Sequence, residues 1–437
     1  MNSVKIFTDQ PSARLQYIAD VVLKELLGID FEIINFKNAK LAVNQAGISY
    51  SENEVEGSIH IHPSKLLFEH DLRSVEAHLG DDSDRSIPHL LLDEEDFDPF
   101  AAAFYLVSRY EEHLPYDEDA HKRFPPEASC LVQLNILHLP LVNYWARELG
   151  EQLQARFPTL ELKPRSFEFR STIDVDQVWK YKFKGFKRMF GGLVRDIFTF
   201  KEGAFKQRLA ILFAGGEDPF FNFNYQNTLH LTHTTDVTYF FQVGRYGAFD
   251  KNTSAKKKVF RSLISNLAEK HKLGVHPSYR SNDVEAHRLK SEIDALESIT
   301  EQKVHLSRQH FLRMKLPTTY KRLIANGITE DYTCGYTSHH GFRAGLASSF
   351  LYYNFEKETV TNLRCFPFCL MDVTPLHYYR LQPNQAMNHI DEVLEVVKEV
   401  GGLAISLWHN ESLSEDDRWM GWRAVYEHMV QKADEMR

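Results

Sequence analysis

Two aspartates, Asp174 and Asp176, stand at the end of a β-rich run near the middle of the chain. The run, from Phe167 to Ile173, shows the partial apolar alternation of a half-buried strand. Paired carboxylates at a strand end suit hydrolytic chemistry, because one can hold a metal ion while the other handles a proton. For an isolated pair of this kind, an acidic strand end that only faces water is the alternative interpretation.

Most of the other predicted strands also end at side chains that bind metals or transfer protons. In chain order these are His276 after Leu273–Val275, Arg308 and His310 after Val304–Leu306, Asp331 after Gly327–Thr329, Asp372 after Asn362–Cys369, and His409 after Leu403–Leu407. In a parallel β/α barrel, the loops that follow the strands all open on the same face. The pattern therefore predicts that these side chains converge in an acid–base and metal site.

Strands and helices alternate after residue 165, which indicates an α/β fold with parallel strands in a barrel or a doubly wound sheet. Residues 165–437 are predicted to form this domain, and residues 180–232 are interpreted as an insertion before the strand Val237–Val243. Residues 1–160 are predicted to form a separate mixed α/β domain, with the boundary between the two domains at Pro158–Arg165. The other predicted elements are strands at Val4–Phe7, Phe31–Ile34 and Gly57–His62, and helices at Ser12–Leu27, Asp98–His113, Leu141–Arg156, Ser254–His271, Val284–Ile299 and Asn384–Val400.

The composition is that of an ordinary globular protein, with 43% hydrophobic and 25% charged residues among 437. A net charge of -9 argues against nucleic-acid binding. The basic runs Lys180–Arg188 and Lys256–Lys258 are interpreted as solvated faces or loops, with a lid over an anionic glycan as the alternative. Four cysteines without C-x-x-C spacing, no secretory apolar segment and no membrane-length apolar run together predict a cytoplasmic protein.

Taken together, the motifs resemble those of the polysaccharide deacetylases over roughly residues 165–437. The segments that carry the resemblance are Thr172–Asp176, Gly274–Tyr279, Arg308–His310, Gly341–Gly345 and Leu407–Asn410. The resemblance implies an irregular seven-stranded β/α barrel that removes acetyl groups from N-acetylated sugars with a divalent metal, usually zinc. Around Ser108–Glu112, the first 160 residues resemble a domain of no known activity that often precedes this barrel.

The resemblance also implies roles for individual residues. Asp174 would be the general base and Asp176 a metal ligand, although Val175 separates two acids that are adjacent in the usual motif. Arg308 would order Asp174 through a charge-assisted hydrogen bond. His409 would protonate the leaving amine, since imidazole titrates near neutrality.

The expected metal ligands are Asp176, His276 and a further histidine. The family motif supplies that histidine four residues after His276, where this chain has Arg280. His310 is the candidate replacement, and the alternative is that no metal binds.

Three further residues are expected to contact the substrate. Tyr279 and Trp408 flank the predicted ligands and suit stacking on a sugar ring. Arg343 lies in the Gly341–Gly345 motif, and its alternative role is to orient a carboxylate. Asp331 and Asp372 are candidates for holding the catalytic groups in place.

The sequence thus predicts a metal-assisted hydrolase that removes an acetyl group from an N-acetylated or O-acetylated saccharide, with zinc as the expected metal. Two alternatives stay open. One is a catalytically impaired relative that binds a glycan. The other is a glycoside hydrolase that pairs Asp174 or Asp176 with another acid such as Asp331.

Overall fold

The computed structural model describes residues 2–38, 41, 45–80, 86–93, 96–198, 202–282 and 287–437. The strands are β1 (Ser3–Thr8), β2 (Asp30–Asn35), β3 (Ala46–Tyr50), β4 (Ile59–Ile61), β5 (Ala77–Leu79), β6 (Leu90–Leu92), β7 (Glu168–Val175), β8 (Val237–Phe241), β9 (Lys272–Val275), β10 (Leu306–Ser307), β11 (Glu330–Asp331), β12 (Phe350–Asn354), β13 (Thr359–Cys365), β14 (Leu370–Met371) and β15 (Leu403–His409). The helices are α1 (Ala13–Ala19), α2 (Pro99–Val107), α3 (Cys130–Gln133), α4 (Leu141–Arg156), α5 (Phe186–Phe198), α6 (Glu202–Phe213), α7 (Phe223–Thr232), α8 (Lys258–Ala268), α9 (His287–Thr300), α10 (Thr318–Ala325), α11 (Pro383–Val400) and α12 (Trp422–Glu435).

The N-terminal segment contains a parallel sheet in the order β2-β1-β3-β4. Strand β3 is absent from the sequence prediction, and the predicted helix Ser12–Leu27 is divided into α1 and a π-helical stretch, Asp20–Leu26. Helix α2 begins where predicted because Asp98 caps it, accepting hydrogen bonds from the backbone N–H groups of Phe100 and Ala101 at 2.9 and 3.1 Å. The first residues of the predicted helix Val284–Ile299 lie outside the described residues.

The larger sheet has nine strands in the order β12-β13-β11-β10-β9-β8-β7-β15-β14. All neighbours are parallel except β12 and β13. The expected count of seven is therefore wrong. Only the first part of the predicted strand Asn362–Cys369 is a strand: β13 ends at Cys365, and Pro367 lacks the N–H that a continuous ladder needs. Strand β14 begins at Leu370, after the predicted range, and pairs with a different neighbour. The added strand β12 returns antiparallel along β13.

This sheet is strongly curled. Arg170 on β7 donates a hydrogen bond to the hydroxyl of Tyr332, which follows β11 four strands away, over 2.7 Å. Its guanidinium also lies 4.9 Å from the ring centre of Phe366. The concave side holds a small apolar core of its own, made of Phe240, Leu312, Tyr332, Phe366, Phe368, Met371, Ile405 and Leu407. The convex side packs into the main core with the helices.

The N-terminal segment packs directly against the strands and loops of the larger sheet. Arg14 forms an ion pair with Glu358 at 2.9 Å, and the N–H of Val142 donates to the carbonyl of Gly345 at 2.9 Å. One continuous hydrophobic core includes side chains from both parts. The division at 160–165 stays a prediction. Within the described residues, no helix combines the length and apolar character needed to cross a bilayer.

Candidate metal and acid–base site

Asp174 lies on β7 beside two strands that carry other candidate residues. In the ladder between β7 and β15, Asp174 is directly opposite His409. The buried guanidinium of Arg308 donates through Nη1 to the hydroxyl of Thr172 at 2.6 Å and to Oδ1 of Asp174 at 3.1 Å. Thr172 and Asp174 share a face because side chains two residues apart in a strand point the same way. Arg308 therefore contacts both side chains of this face and orients the Asp174 carboxylate.

Asp176, His276 and His310 come together at the ends of β7, β9 and β10. Nε2 of His276 lies 3.2 Å from Oδ1 of Asp176, and Nε2 of His310 lies 3.3 Å from Oδ2. One ligand atom from each residue lies within 4.8 Å of the other two. The side chain of Arg280, the residue in the position of the missing histidine, is exposed.

Hydrogen bonds on the far side of each imidazole define which nitrogen faces Asp176. Nδ1 of His276 donates to the carbonyl of Arg308 at 2.6 Å. Nδ1 of His310 donates to Oδ1 of Asp250 at 3.1 Å. Both rings therefore direct Nε2 toward Asp176, which is the arrangement that metal-binding histidines adopt.

The charges around His310 and Asp176 affect both pKa values. Burial alone lowers the pKa of His310, but the carboxylates of Asp176 and Asp250 raise it to about 9. Burial raises the pKa of Asp176, but His310 and His276 together hold it well below its usual value. The carboxylate therefore stays ionised, as a metal ligand must be.

The three side chains fit a divalent metal ion. A tetrahedral zinc site with bonds of about 2.1 Å separates its ligand atoms by about 3.4 Å. Each imidazole nitrogen lies near that distance from one oxygen of Asp176, His276 at 3.2 Å from Oδ1 and His310 at 3.3 Å from Oδ2. Oδ1 of Asp176 is buried and has no hydrogen-bond partner among the described residues. Three protein ligands would leave a position open, as in catalytic zinc sites.

His409 is held by Asp372, which follows β14. Nδ1 of His409 lies 3.1 and 3.0 Å from the two carboxylate oxygens, and its backbone N–H donates to Oδ2 at 2.8 Å. Ser412 donates to the same oxygen at 2.5 Å. Burial alone lowers the pKa of His409, but Asp372 raises it to about 10. Asp372 therefore fixes the orientation of the His409 ring and favours its protonated form.

Asp331 acts on the loop that carries His310. It accepts hydrogen bonds from the N–H and hydroxyl of Thr333 at 3.0 and 2.8 Å. The Thr333 hydroxyl in turn accepts from the N–H of Gln309 at 3.0 Å. Burial raises the pKa of Asp331 to about 6. This chain of bonds joins the buried carboxyl to the residue immediately before His310.

An aromatic cluster formed by His121, Phe249, Tyr279 and Phe311 lies beside these ligands in the sequence and in space. Tyr279 stacks on Phe249 with ring centres 4.2 Å apart and meets Phe311 edge-on at 5.4 Å. Phe311, next to His310, contacts its ring at 4.7 Å. Phe249 and Phe311 stay 45% and 36% exposed. The cluster therefore presents ring surface next to the candidate ligands.

Two residues expected at the substrate lie elsewhere. Trp408 is 2% exposed and packs on Tyr426 of α12, with ring centres 4.8 Å apart. Because strand side chains alternate between faces, Trp408 points away from the side that His409 faces. Arg343 is 3% exposed and donates to Glu112 and to the Gly335 carbonyl, each at 2.8 Å.

Sequence reasoning missed three residues around the site. Asp250 and Gln242 belong to the long loop after β8, where Gln242 donates to Asp250 at 2.8 Å and lies 2.8 Å from Nδ1 of His310. Because that loop directly follows a strand, its position is the sequence feature that could have identified Asp250 and Gln242 as site residues. His121 comes from the N-terminal segment, and its Nδ1 lies 3.1 Å from the hydroxyl of Tyr279. No local pattern distinguishes His121.

Comparison with known proteins gives a partial picture. Residues 4–158 match the model of a family of unknown function, DUF7033. No curated protein matches the sequence at a significant level. Among solved structures, the chain is similar to a Mycobacterium smegmatis protein assigned as a polysaccharide deacetylase, at 14% identity and a TM-score of 0.41, covering 62% of this chain and 85% of that one.

Two further solved structures show the same extent of overlap on this chain. One is a polysaccharide deacetylase from Bacillus cereus, at 12% identity and a TM-score of 0.31, with 62% of this chain and 88% of that chain covered. The other is a CE4 family pseudoenzyme from Bacillus anthracis, at 13% identity and a TM-score of 0.31, with 62% of each chain covered.

Proposed function

We propose that this protein is a metal-dependent hydrolase that removes an acetyl group from an N-acetylated or O-acetylated saccharide. The observation that carries the proposal is the grouping of Asp176, His276 and His310, whose ligand atoms lie within 4.8 Å of one another. Asp174 and His409 occupy facing positions on the neighbouring strands β7 and β15. A ligand set, a base and a proton donor are the groups that metal-assisted acyl hydrolysis requires.

Each of this chain's residues has a separate task in the reaction. Asp176, His276 and His310 would hold the metal, and the chemistry supplied there is polarisation of the acetyl carbonyl and activation of water. Asp174, oriented by Arg308, accepts the proton of the attacking water as the new carbon–oxygen bond forms. His409 donates its proton to the departing nitrogen, or to the departing oxygen of an ester, as the acyl bond breaks. The products are acetate and the free amine or alcohol.

The aromatic cluster is the surface that we assign to the sugar ring. Tyr279, Phe249 and Phe311 supply aromatic edges and faces beside His310, and apolar sugar faces pack on such rings. His121 supports Tyr279 through the contact with its hydroxyl. In this assignment, the N-terminal segment contributes directly to the substrate surface.

The proposal is tested by acetate release from the purified full-length protein. Bound metal is removed with a chelator, Zn²⁺ is restored, and N-acetylated and O-acetylated oligosaccharides are offered to wild type and to Asp174→Asn. We expect acetate from the wild type only when metal is restored, and a loss of at least about 10²-fold in Asp174→Asn.

The two alternatives give different results in the same experiment. Binding of the oligosaccharide without acetate release under any metal condition would favour a glycan-binding protein that lacks catalysis. Arg280, in place of a ligand histidine, is the feature that favours this alternative. New reducing ends without acetate would indicate a glycoside hydrolase.

A further inference from the structure

A cavity of about 950 Å³ lies between the insertion helices and the candidate site. Its lining includes Gln177, which follows Asp176, and Glu411, two residues after His409. Other lining residues come from the segment 180–208 of the insertion and from the loop that also carries Asp250. Two lining residues of the cavity thus lie within two positions of Asp176 and His409 in the chain.

This cavity is basic, although the chain has a net charge of -9. Five basic and three acidic residues line it. Lys180 is neutralised by an ion pair with Asp416, and Glu411 pairs with Arg418 at 3.0 Å. The remaining basic side chains include Lys184 and Arg188.

Lys184 and Arg188 have no carboxylate partner among the described residues. The ammonium of Lys184 donates to Oε1 of Gln177 at 2.8 Å. Arg188 donates to the backbone carbonyls of Lys251 and Asn252 at 3.0 and 3.2 Å. Burial and the neighbouring Arg188 lower the pKa of Lys184 to about 8. Neither cation forms an ion pair among the described residues, and the carboxylates of Asp218 and Glu411 act on Lys184 only from a longer distance. A bound anion would stabilise both cations.

The segment that carries Lys184 is anchored rather than loose. Asp218 accepts hydrogen bonds from the backbone N–H groups of Lys180, Tyr181 and Lys182 at 2.7, 2.8 and 3.0 Å. Gln177, the partner of Lys184, is held through its carbonyl by the side-chain amide of Asn410 at 2.9 Å. The position of Lys184 relative to the candidate site is therefore built into the fold.

We propose that Lys184 and Arg188 bind an anionic group, a phosphate or a carboxylate, on the saccharide whose acetyl group reaches Asp174 and His409. Guanidinium and ammonium groups bind such anions through charge-assisted hydrogen bonds. The saccharide part of this inference rests on the proposed function. The anion site itself does not require catalysis and is measured separately.

The test is binding to the metal-stripped full-length protein by titration calorimetry. The probes are N-acetylglucosamine 1-phosphate, an N-acetylated disaccharide that ends in glucuronate, and uncharged N-acetylglucosamine. We expect at least one charged probe to bind about tenfold or more tightly than the neutral sugar, and to lose that advantage in Lys184→Gln/Arg188→Gln. The charged probe that shows the advantage distinguishes phosphate from carboxylate.

A matched control variant removes two positive charges at positions that do not line the cavity. Lys182→Gln/Lys256→Gln changes one residue in the same loop and one exposed residue on the adjoining loop, neither of which lines the cavity. It should retain the preference for the charged probe, and Lys184→Arg should retain it as well. Raising the salt concentration should weaken only the charged probes.

Equal affinity for charged and neutral probes in the wild type would overturn the inference. So would an unchanged preference in Lys184→Gln/Arg188→Gln with an unaltered circular dichroism spectrum. Neither result bears on acetate release, so failure of the anion site is distinguishable from failure of the hydrolase proposal.

Discussion

Nδ1 of His276 donates a hydrogen bond to the backbone carbonyl of Arg308 over 2.6 Å. This contact joins two neighbouring strand ends and selects the tautomer whose Nε2 lone pair faces Asp176. Arg308 at the same time binds Asp174 at 3.1 Å through its guanidinium. Arg308 therefore orients His276, a candidate metal ligand, through its main chain and Asp174, the proposed base, through its side chain.

Metal binding should depend on His310 and, more weakly, on Asp250. His310→Ala removes one of three ligands and should abolish stoichiometric Zn²⁺ binding. Asp250→Asn keeps an acceptor oxygen for Nδ1 but removes its negative charge, and it should lower the affinity about 10- to 100-fold, since such supporting contacts have effects of that size. Elemental analysis and Zn²⁺ titration measure both changes. His305→Ala, an exposed histidine of the same segment, is the control, and equal zinc content in His305→Ala and His310→Ala would contradict the ligand assignment.

Asp372→Asn should lower kcat by about 10²-fold, because it removes the group that orients and charges His409. The pH profile should change as well. Asp372 raises the pKa of His409 to about 10, so its loss lowers that pKa and moves the alkaline limb of kcat to lower pH. Asp391→Asn is a matched control, since Asp391 forms a surface pair with His428 at 2.8 Å. A drop in kcat without a shift of the alkaline limb would argue against His409 as the proton donor.

Glu112→Gln should destabilise the fold by about 3 to 5 kcal/mol, because it leaves buried arginines without their carboxylate. Glu112 bonds Arg109 at 2.6 Å and Arg343 at 2.8 Å, and all three are buried. Urea unfolding measures the change. In Glu356→Gln, a surface pair with Lys321 is lost, and the free energy of unfolding should change by no more than about 1 kcal/mol.

The ion pairs of Glu112 with Arg109 and Arg343 also predict a pH dependence of stability, which a comparison of wild type with Glu112→Gln measures. Burial raises the pKa of Glu112, but Arg343 and Arg109 lower it from 4.5 to about 2. A folded pKa below the unfolded value means that the contribution is complete above pH 4.5 and is lost as pH falls toward 2. Between pH 5 and 3, wild type should therefore lose about 2 kcal/mol more stability than Glu112→Gln. Parallel losses in both proteins would contradict the ion-pair account.

His121→Ala should raise KM about three- to tenfold with little change in kcat, because it removes one aromatic contact from the substrate surface and none from the reacting groups. Acetate release at varied substrate concentration measures both constants. His138→Ala, an exposed histidine of the same N-terminal segment, is the control. A change in kcat alone would place His121 among the groups that position the acid–base residues instead.

Sequence periodicity and the residues at strand ends indicated the positions of several candidate site residues, but they did not define every strand of the larger sheet. Asp174, His276, Arg308 and His409 lie where the order of strands and helices indicates, because parallel strands present their ends on one side. Strands β10, β11 and β14 have only two residues each, which is too short for an alternating pattern to define them. Such short strands are defined by their pairing with the adjacent strands of the sheet.

Arg343 shows a second limit of sequence reasoning. A charged residue in a glycine-rich motif suggests an exposed, substrate-facing position, yet its partner Glu112 lies 231 positions earlier in the chain. Only the packing of the N-terminal segment on the larger sheet brings them together. Asp250 and His121 were missed for the same reason, since long-range contacts define their roles.

Asn410 connects the insertion, residues 180–232, to the candidate site through hydrogen bonds. The side-chain amide of Asn410 donates to the backbone carbonyls of Gln177 and Phe220, each at 2.9 Å. The backbone carbonyl of Asn410 accepts from the side-chain amide of Asn222 at 2.7 Å. Residues 180–232 are therefore not a detachable addition to the larger sheet. Removing this segment would take away Phe220, one of the two acceptors of the Asn410 side-chain amide, and Asn222, the donor to the backbone carbonyl of Asn410. Two buried polar groups beside His409 would each lose a hydrogen bond. The insertion, which would select the substrate, and the candidate site, which would transform it, are thus held together by the same hydrogen bonds.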